Sequence, residues 1–333
     1  MSLRPLLLLL AFLIAFLISE FIVSEIIQFP TYGAEQLVCY TPGKDPWGDP
    51  LWTPIWKANS FHYTAEGRKR IQCNNFGLPG INIVFSEEPI VVLGSSFVMG
   101  FECHAESIAT SLLQRYIDST GQKDTVMNLG GIHHDPYMAW CRLRYFENKY
   151  GFHPKRVILV TEQGFYRWME PYPRPLNLEY TNYQEMPITA LTRTADYLRN
   201  TYGYCNLVET GWGPRQWFKK LLLIPKRIVR KAHRVIKDKP TPIPAEADTI
   251  SPDLLDVFSA FSETYPSFML VSISSNDKLN KQLENYCSSQ CIDFIYEPLM
   301  TPENRIFGKG HLNNLGHQKL YHLLVKCCSG WEE

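Results

Sequence analysis

Residues 91–100 read VVLGSSFVMG, and this stretch decides the fold class of the chain. Its apolar start is broken by a glycine and two serines, and an amphipathic stretch follows at about 105–117. An apolar run interrupted in this way predicts a buried strand, a tight turn and a helix. We therefore expect Ser96 to lie where the strand passes into the helix, with backbone N–H groups facing any anion that forms beside its hydroxyl.

Beyond this stretch, from residue 89 onward, apolar runs alternate with longer amphipathic stretches. The pattern predicts strands at 90–93, 125–129, 157–161, 268–273 and 292–296. It predicts helices at 105–117, 136–150, 253–264, 278–286 and 313–328. Such alternation is typical of a three-layer α/β/α fold with a mainly parallel sheet. Ligands bind beyond the carboxyl ends of the strands in these sheets, which is where Ser96 and Gly130 fall.

A second informative stretch, residues 310–317, reads GHLNNLGH and runs into the start of the last predicted helix. It places His311 on a loop at the far end of the chain from Ser96. A serine and a histidine brought together by an α/β sheet can act as nucleophile and general base. We interpret His317, inside the helix, as a packing or capping residue.

These motifs resemble those of the SGNH (GDSL-like) hydrolase and acyltransferase superfamily, over the chain from about residue 89 to its end. Residues 94–100 resemble the first block, Gly-Asp-Ser-x-x-x-Gly, with Ser95 in place of Asp. Members that acylate cell-surface polymers often carry Gly-Ser-Ser there. The resemblance implies an SGNH or flavodoxin-like sheet order and a nucleophilic role for Ser96.

Two further blocks extend the resemblance. Residues 128–131, Asn-Leu-Gly-Gly, resemble the second block, whose glycine supplies an N–H group to the oxyanion hole, here Gly130. The stretch from His311 to His317 resembles the last block, in which the first histidine is the general base.

The chain departs from the family pattern at two positions. The aspartate three residues before the base is replaced by Gly308. The asparagine that donates to the oxyanion after a central strand is missing, and Gln163 is the candidate substitute. Loss of one oxyanion donor costs about 10²–10³ in rate, and loss of the acid that orients the histidine can cost about 10⁴.

Two functions therefore stay open. One is a membrane-anchored serine esterase or O-acyltransferase that acts on an acyl ester of a lipid or a cell-envelope carbohydrate. The other is a catalytically degenerate SGNH-like subunit that serves as a structural or docking component of a membrane protein complex. Water as the acyl acceptor makes an esterase and a sugar hydroxyl makes an acyltransferase, and the sequence does not decide between these acceptors.

Residues 1–27 are predicted to form a membrane anchor with one N-terminal transmembrane helix, because residues 5–18 are almost wholly apolar. A spanning helix needs about 20 residues, so the helix must extend to about residue 23. A cleaved signal peptide is the alternative, although no small-x-small cleavage site follows the apolar run. Arg4 before the run and acids after it predict a single-pass protein with an extracytoplasmic body, on the periplasmic or lumenal side.

The rest of the chain divides into two predicted parts. Residues 28–88 are rich in Pro, Gly and aromatic residues, which indicates an irregular or short-stranded extension. Residues 89–333 form the α/β domain, with an insertion at about 167–251. Within it, 215–237 interleaves basic and bulky apolar residues, which suits an anionic membrane surface, a membrane protein complex or a helix packed on the core.

Composition excludes other classes of function. Basic and acidic residues balance at 33 each, so nothing indicates nucleic acid as a partner. Nine cysteines show no paired Cys-x-x-Cys spacing, and we expect neither a metal nor a cofactor, the adjacent His133 and His134 included. An extracytoplasmic body predicts one or more disulfides, with Cys287 and Cys291 as the local candidates.

Overall fold

The computed structural model describes residues 11–12, 14–15, 34–44, 50–56, 58–59, 61–63, 70–100, 103–131, 134–162, 184–187, 250–306 and 311–328. The chain divides into two compact units. The first comprises Met1–Tyr32, His62–Arg68 and Ile188–Ala245, and nearly all of it falls outside these residues. The second comprises Gly33–Phe61, Lys69–Pro187 and Glu246–Glu333 and holds the elements that position the candidate site.

The described strands are β1 (Ala34–Lys44), β2 (Pro50–Trp56), β3 (Phe61–Tyr63), β4 (Arg70–Gln72), β5 (Ile90–Gly94), β6 (Val126–Asn128), β7 (Arg156–Thr161), β8 (Gln184–Pro187), β9 (Phe268–Ser272) and β10 (Asp293–Tyr296). The described helices are α1 (Ser96–Met99), α2 (Ala109–Ser119), α3 (Pro136–Tyr150), α4 (Pro252–Thr264), α5 (Asp277–Ser289) and α6 (Asn314–Cys328).

Five strands form one parallel sheet in the order β6-β5-β7-β9-β10. The prediction of a parallel-sheet α/β fold is thus confirmed. The order is the flavodoxin-like one, in which the chain leaves its first strand to one side and then continues on the other. The switch point between β5 and β7 is where such sheets bind ligands.

The two faces of the sheet are covered by different helices because side chains alternate along each strand. On β5, Val91 and Leu93 join one buried cluster, and Ile90 and Val92 join the other. Helices α3, α4 and α5 cover the first face, whereas α2 and α6 cover the second. Each fully buried aliphatic or aromatic side chain contributes about 1.5–3 kcal/mol, which makes this three-layer core the main stabilising element.

The helix boundaries agree with the sequence in most places. Asn276 caps α5 by accepting a hydrogen bond from the backbone of Leu279, so α5 begins at Asp277, one residue before the predicted start. One difference lies ahead of α2. A 3-10 turn spans Ala105–Ser107 where the helix was expected, and α2 begins only at Ala109.

The predicted extension contributes β1 and β2, and β1 is longer than a short-stranded lead-in predicts. Strand β1 pairs antiparallel with β2 and also with β8, which comes from the predicted insertion. Two stretches that sequence reasoning treated separately therefore share one sheet.

The predicted anchor falls largely outside the described residues, since only 11, 12, 14 and 15 of the first 33 are described, and these are helical. In the part of the chain that the structure describes, no helix has the length and apolar character needed to cross a membrane. The basic stretch 215–237 lies outside the described residues altogether.

The expected disulfide between Cys287 and Cys291 is not formed, and both residues are thiols. Cys287 points from α5 into the core, where burial raises the pKa of its thiol to about 12. Cys291 is exposed, two residues past the helix, at a positive φ of 54°. The turn that reverses the chain thus directs the two side chains into different surroundings.

Candidate active site

The turn after β5 is built around Gly94 and Ser95. Gly94 has a φ of +156°, and a Cβ there would lie 2.5 Å from the Val98 side chain and 2.8 Å from the Val160 carbonyl. The Ser95 hydroxyl caps the one-turn helix α1 by accepting a hydrogen bond from the Phe97 N–H at 3.4 Å. Ser96 is therefore the first helical residue beyond the carboxyl end of β5.

The segment that carries His311 is held on both sides of the histidine. The backbone N–H of Ile306 donates to the His311 carbonyl at 2.9 Å. The next residue, Leu312, is fully buried in the second core cluster, and its carbonyl accepts from the Cys103 thiol at 3.4 Å. Asn313 then starts α6 by accepting from the Gly316 N–H at 2.9 Å. These contacts fix the backbone on both sides of His311.

The structure brings Ser96 and His311 together. The His311 Nε2 lies 2.9 Å from the Ser96 Oγ, although the residues are 215 positions apart. Both residues are half-buried. With the ring proton on Nδ1, Nε2 accepts from the serine hydroxyl, which is the arrangement required of a general base beside a nucleophile.

Gly130, the glycine predicted to donate to an oxyanion, lies against α1. A Cβ at this position would lie 2.4 Å from the Met99 nitrogen, so only glycine fits. Its N–H, however, donates to the Asn128 Oδ1 at 3.0 Å. An oxyanion can accept a hydrogen bond from the Gly130 N–H only if this N–H leaves the Asn128 Oδ1 or bonds to both acceptors at once.

Asn128 is a residue whose role sequence reasoning missed. Its buried amide nitrogen donates to the Val98 carbonyl and to the Thr110 hydroxyl, each at 3.0 Å. Asn128 therefore connects the end of β6 to the short helix that carries Ser96 and to the start of α2. The available signal was an Asn that ends an apolar strand two positions before the assigned glycine.

Phe97 was also missed. Its ring centroid lies 5.4 Å from that of His311, with 47° between the ring planes. The residue type at this position carries no signal in the motif, so only the fold reveals the contact.

The other predicted donor, Gln163, lies outside the described residues, as does Gly308. Glu303, the nearest acid before His311 in the sequence, is exposed. A hydrogen bond from Thr301 and one from its own backbone hold the pKa of the Glu303 carboxyl below its usual value. The Glu303 carboxylate is therefore hydrogen-bonded to Thr301, which directly precedes the 3-10 turn that contains Glu303.

Of the remaining histidines, His317 has a structural role, whereas His133 lies outside the described residues. His317 is fully buried, and its Nδ1 accepts from the Ala109 N–H at 3.3 Å, which caps α2 in the absence of a capping side chain at Ile108. His134 is buried, and Asp135 caps α3 by accepting from the Met138 N–H at 2.8 Å. Within the described ranges, no three His, Cys, Asp or Glu residues group as metal ligands.

No protein-family model matches the chain, and no curated protein sequence does either. Eight solved protein chains match its structure. One is TesA, at 9% identity and a TM-score of 0.38, covering 72% of this chain and 97% of TesA. Another is LAE5, an α/β hydrolase enzyme from the metagenome of Lake Arreo, Spain, at 11% identity and a TM-score of 0.37, with coverages of 75% and 99%.

A third is a carbohydrate esterase family 2 enzyme with a carbohydrate-binding domain from Corynascus thermopiles (Myceliophthora fergusii). It is 10% identical, with a TM-score of 0.36, and the match covers 90% of this chain and 91% of that one. Likeness at this level assigns neither a family nor an activity. The chemistry of the site therefore rests on its own geometry.

Proposed function

We propose that this chain is an SGNH-type serine ester hydrolase or O-acyltransferase, with Ser96 as nucleophile and His311 as general base. The observation that supports this is the 2.9 Å separation between the Ser96 Oγ and the His311 Nε2 at the carboxyl edge of the sheet. A serine hydroxyl is a weak nucleophile until an adjacent base accepts its proton. The pair supplies both groups within hydrogen-bonding distance.

The reaction follows from these two side chains. His311 Nε2 takes the proton of Ser96 as Oγ attacks the acyl carbonyl carbon and its oxygen becomes an oxyanion. Collapse of this intermediate breaks the ester bond, and the leaving alcohol takes the proton back from His311. The acyl group is then an ester of Ser96. Water or a sugar hydroxyl, deprotonated by the same imidazole, then attacks this ester. The bond to Ser96 Oγ breaks, the acid or the new ester is released, and Oγ takes the proton from His311.

The oxyanion must be stabilised by donors in the turn. We assign this role to the N–H groups of Ser96 and Gly130 and to the amide of Gln163. For Gly130 the assignment requires that its N–H leave or share the Asn128 Oδ1 as charge develops on the substrate oxygen. A Gln163→Ala variant is expected to lose about 10²-fold in kcat if its amide donates to the oxyanion.

The proposal includes a membrane location. The apolar run at 5–18 supports a single-pass anchor with the body outside the cytoplasm, and so an acyl ester of a lipid or a cell-envelope carbohydrate as substrate. Protease added to intact spheroplasts should then digest the body. Complete protection, or a mature N-terminus beyond residue 24, would exclude the anchored form.

The stretch 215–237 is proposed to contact the anionic membrane surface beside the anchor. Each Lys or Arg near such a surface is worth about 1 kcal/mol, and the attraction fades within a Debye length. Full-length protein should therefore bind vesicles containing phosphatidylglycerol more tightly at low salt than at high salt. Replacing Lys226, Arg227, Arg230 and Lys231 with Gln should remove this salt dependence, and an unchanged dependence would favour a helix packed on the core or a protein partner.

A non-catalytic subunit of a membrane complex is the second candidate. It is favoured by the engaged N–H of Gly130 and by Gly308 in place of an acid. In that case Ser96 and His311 are in contact but catalyse no reaction.

A serine-reactive fluorophosphonate probe separates the two candidates. Folded full-length protein should be labelled at Ser96 and should hydrolyse a short-chain ester, whereas Ser96→Ala should do neither. Ser107→Ala is the matched control, because Ser107 is half-buried in the turn ahead of α2. An unlabelled Ser96 with hydrolysis equal to that of Ser96→Ala would establish the non-catalytic subunit instead.

A further inference from the structure

We propose that Phe97 is a positioning residue for His311, holding the imidazole against Ser96 and stabilising the imidazolium that forms during the reaction. The inference rests on the proposed function and adds to it a residue outside the nucleophile and the base. It starts from the contact between the two rings, whose centroids are 5.4 Å apart at an interplanar angle of 47°.

The phenyl ring is itself fixed. Phe97 follows the nucleophile directly, and its backbone N–H donates to the capping hydroxyl of Ser95. Its side chain is half-buried and packs against the second core cluster. The ring and the Ser96 hydroxyl therefore belong to one short helix, Ser96–Met99, which is capped at Gly100.

The contact limits how the imidazole can lie. A hydrogen bond from Ser96 to Nε2 fixes one atom of the His311 ring and leaves the ring free to tilt about it. A phenyl ring packed beside the imidazole removes part of that freedom. In a Ser-His-Asp triad the aspartate orients the histidine in this way, and it also stabilises the imidazolium.

The phenyl ring can perform the second task as well. When the Ser96 proton moves to Nε2, His311 carries a full positive charge until the proton passes to the leaving alcohol. A cation within about 6 Å of an aromatic centroid is attracted by the negative face of the ring. No atom is transferred to or from Phe97, so the reaction keeps its balance.

A matched control exists on α6. Tyr321 also contacts an imidazole, that of His322, with centroids 4.9 Å apart and the same interplanar angle of 47°. It is half-buried against the same core cluster as Phe97. Tyr321→Leu therefore removes an aromatic ring and an aromatic–imidazole contact and leaves the Ser96–His311 pair intact.

Steady-state kinetics of full-length wild type, Phe97→Leu, Phe97→Trp and Tyr321→Leu provide the first test. Phe97→Leu should lower kcat about fivefold, with little change in KM, and the loss should be the same for acetyl, butyryl and octanoyl esters. Phe97→Trp should restore kcat, and Tyr321→Leu should match wild type.

A nuclear magnetic resonance experiment tests the contact without any turnover. The ring protons of His311, assigned from their disappearance in His311→Gln, should shift when Phe97→Leu removes the ring current of the phenyl group. They should not shift in Tyr321→Leu. Thermal unfolding of both Leu variants checks that they are equally folded.

The outcomes separate this inference from the proposed function. A change in KM that varies with the length of the acyl chain would mean that Phe97 contacts the acyl group. Equal kinetics in the two Leu variants would mean that Phe97 has no role. Either result overturns the inference while Ser96 stays catalytic. If wild type and Ser96→Ala are equally inactive, the proposed function fails. The resonance experiment then decides alone, and unchanged His311 signals overturn the positioning role.

Discussion

The two faces of the sheet are packed with different kinds of side chain. One face is rich in buried aromatic residues: Tyr137, Trp140, Tyr145, Phe146, Phe152, Phe258, Phe261, Tyr265 and Phe268. The fully buried members of the other cluster, among the described residues, are aliphatic or sulfur-containing. The Ser96–His311 pair lies at the edge of this aliphatic face, where Phe97 is packed.

The aromatic face also contains a polar group that takes no part in the site. Glu147 is 7% exposed, and its carboxylate accepts from the Tyr265 hydroxyl and from Arg144, each at 2.7 Å. Burial raises the pKa of Glu147 and that of Tyr265. These groups join α3 to the end of α4.

The aliphatic face instead joins distant parts of the chain. Three hydrogen bonds connect the first βα unit to the C-terminal segment: Ser96–His311, Cys103–Leu312 and Ala109–His317. Each spans more than 200 positions along the chain. The comparison teaches that one face mainly stabilises the fold, while the other aligns the segments that carry Ser96 and His311.

The largest effect is expected from removing the pair. Ser96→Ala and His311→Ala should each reduce kcat by about 10³-fold or more, and the double variant should lose no more than either single one, because the two groups act as a unit. Both side chains are half-buried, so unfolding free energies should stay within about 0.5 kcal/mol of wild type. Urea denaturation and ester hydrolysis measure both quantities. Multiplying losses in the double variant would show that the residues act separately.

Cavities made on each of the two faces sharpen the comparison. Phe261→Ala should cost about 3–5 kcal/mol of stability and Leu320→Ala about 2–5 kcal/mol, since both residues are fully buried. At temperatures where both variants are folded, only Leu320→Ala should lower kcat, because Leu320 lies in the helix that follows His311. Equal kcat values in the two variants would break the assignment of roles. Phe261→Leu replaces Phe261→Ala if the larger cavity prevents folding.

The smallest effect concerns pH and the aromatic face. Burial raises the pKa of Glu147 above its ordinary value of 4.5, against the opposing influence of Tyr265, Arg144 and His153. The folded state then binds the proton more tightly than the unfolded state. The contribution of Glu147 to stability is greatest below pH 4.5 and is lost as pH rises through the raised pKa.

Urea unfolding between about pH 4 and pH 8 should therefore show a falling component in wild type that is absent from Glu147→Gln. Glu263→Gln is the control, since Glu263 lies exposed on α4. The kcat of folded Glu147→Gln should equal that of wild type. An identical pH dependence in both variants and wild type would place the titrating group elsewhere.

The sequence predicts the sheet well because buried parallel strands read as continuous apolar runs. The runs that became β5, β7 and β9 were each located to within a residue or two. Helix α1 was missed because four residues are too few to show a helical period. The pairing of β1 with β8 was missed because β8 is only four residues long and lies far away in the sequence.

The site shows the same division. The Gly-Ser-Ser and His-Leu-Asn motifs identify Ser96 and His311, whose side chains lie 2.9 Å apart. Each motif is a short run of neighbouring residues, so it can be read directly from the sequence. The engagement of the Gly130 N–H by Asn128 and the contact of Phe97 with His311 depend on how segments pack. No local pattern contains that information.

The separation of 215 positions between Ser96 and His311 has a consequence for how the candidate site forms. A ribosome completes β5 and Ser96 long before it makes His311. Closing a loop of that length carries an entropic cost that is repaid once α6 packs on α2. A nascent chain that has not yet reached His311, or one truncated before it, therefore lacks the Ser96–His311 contact, and under the proposed function its serine is not activated.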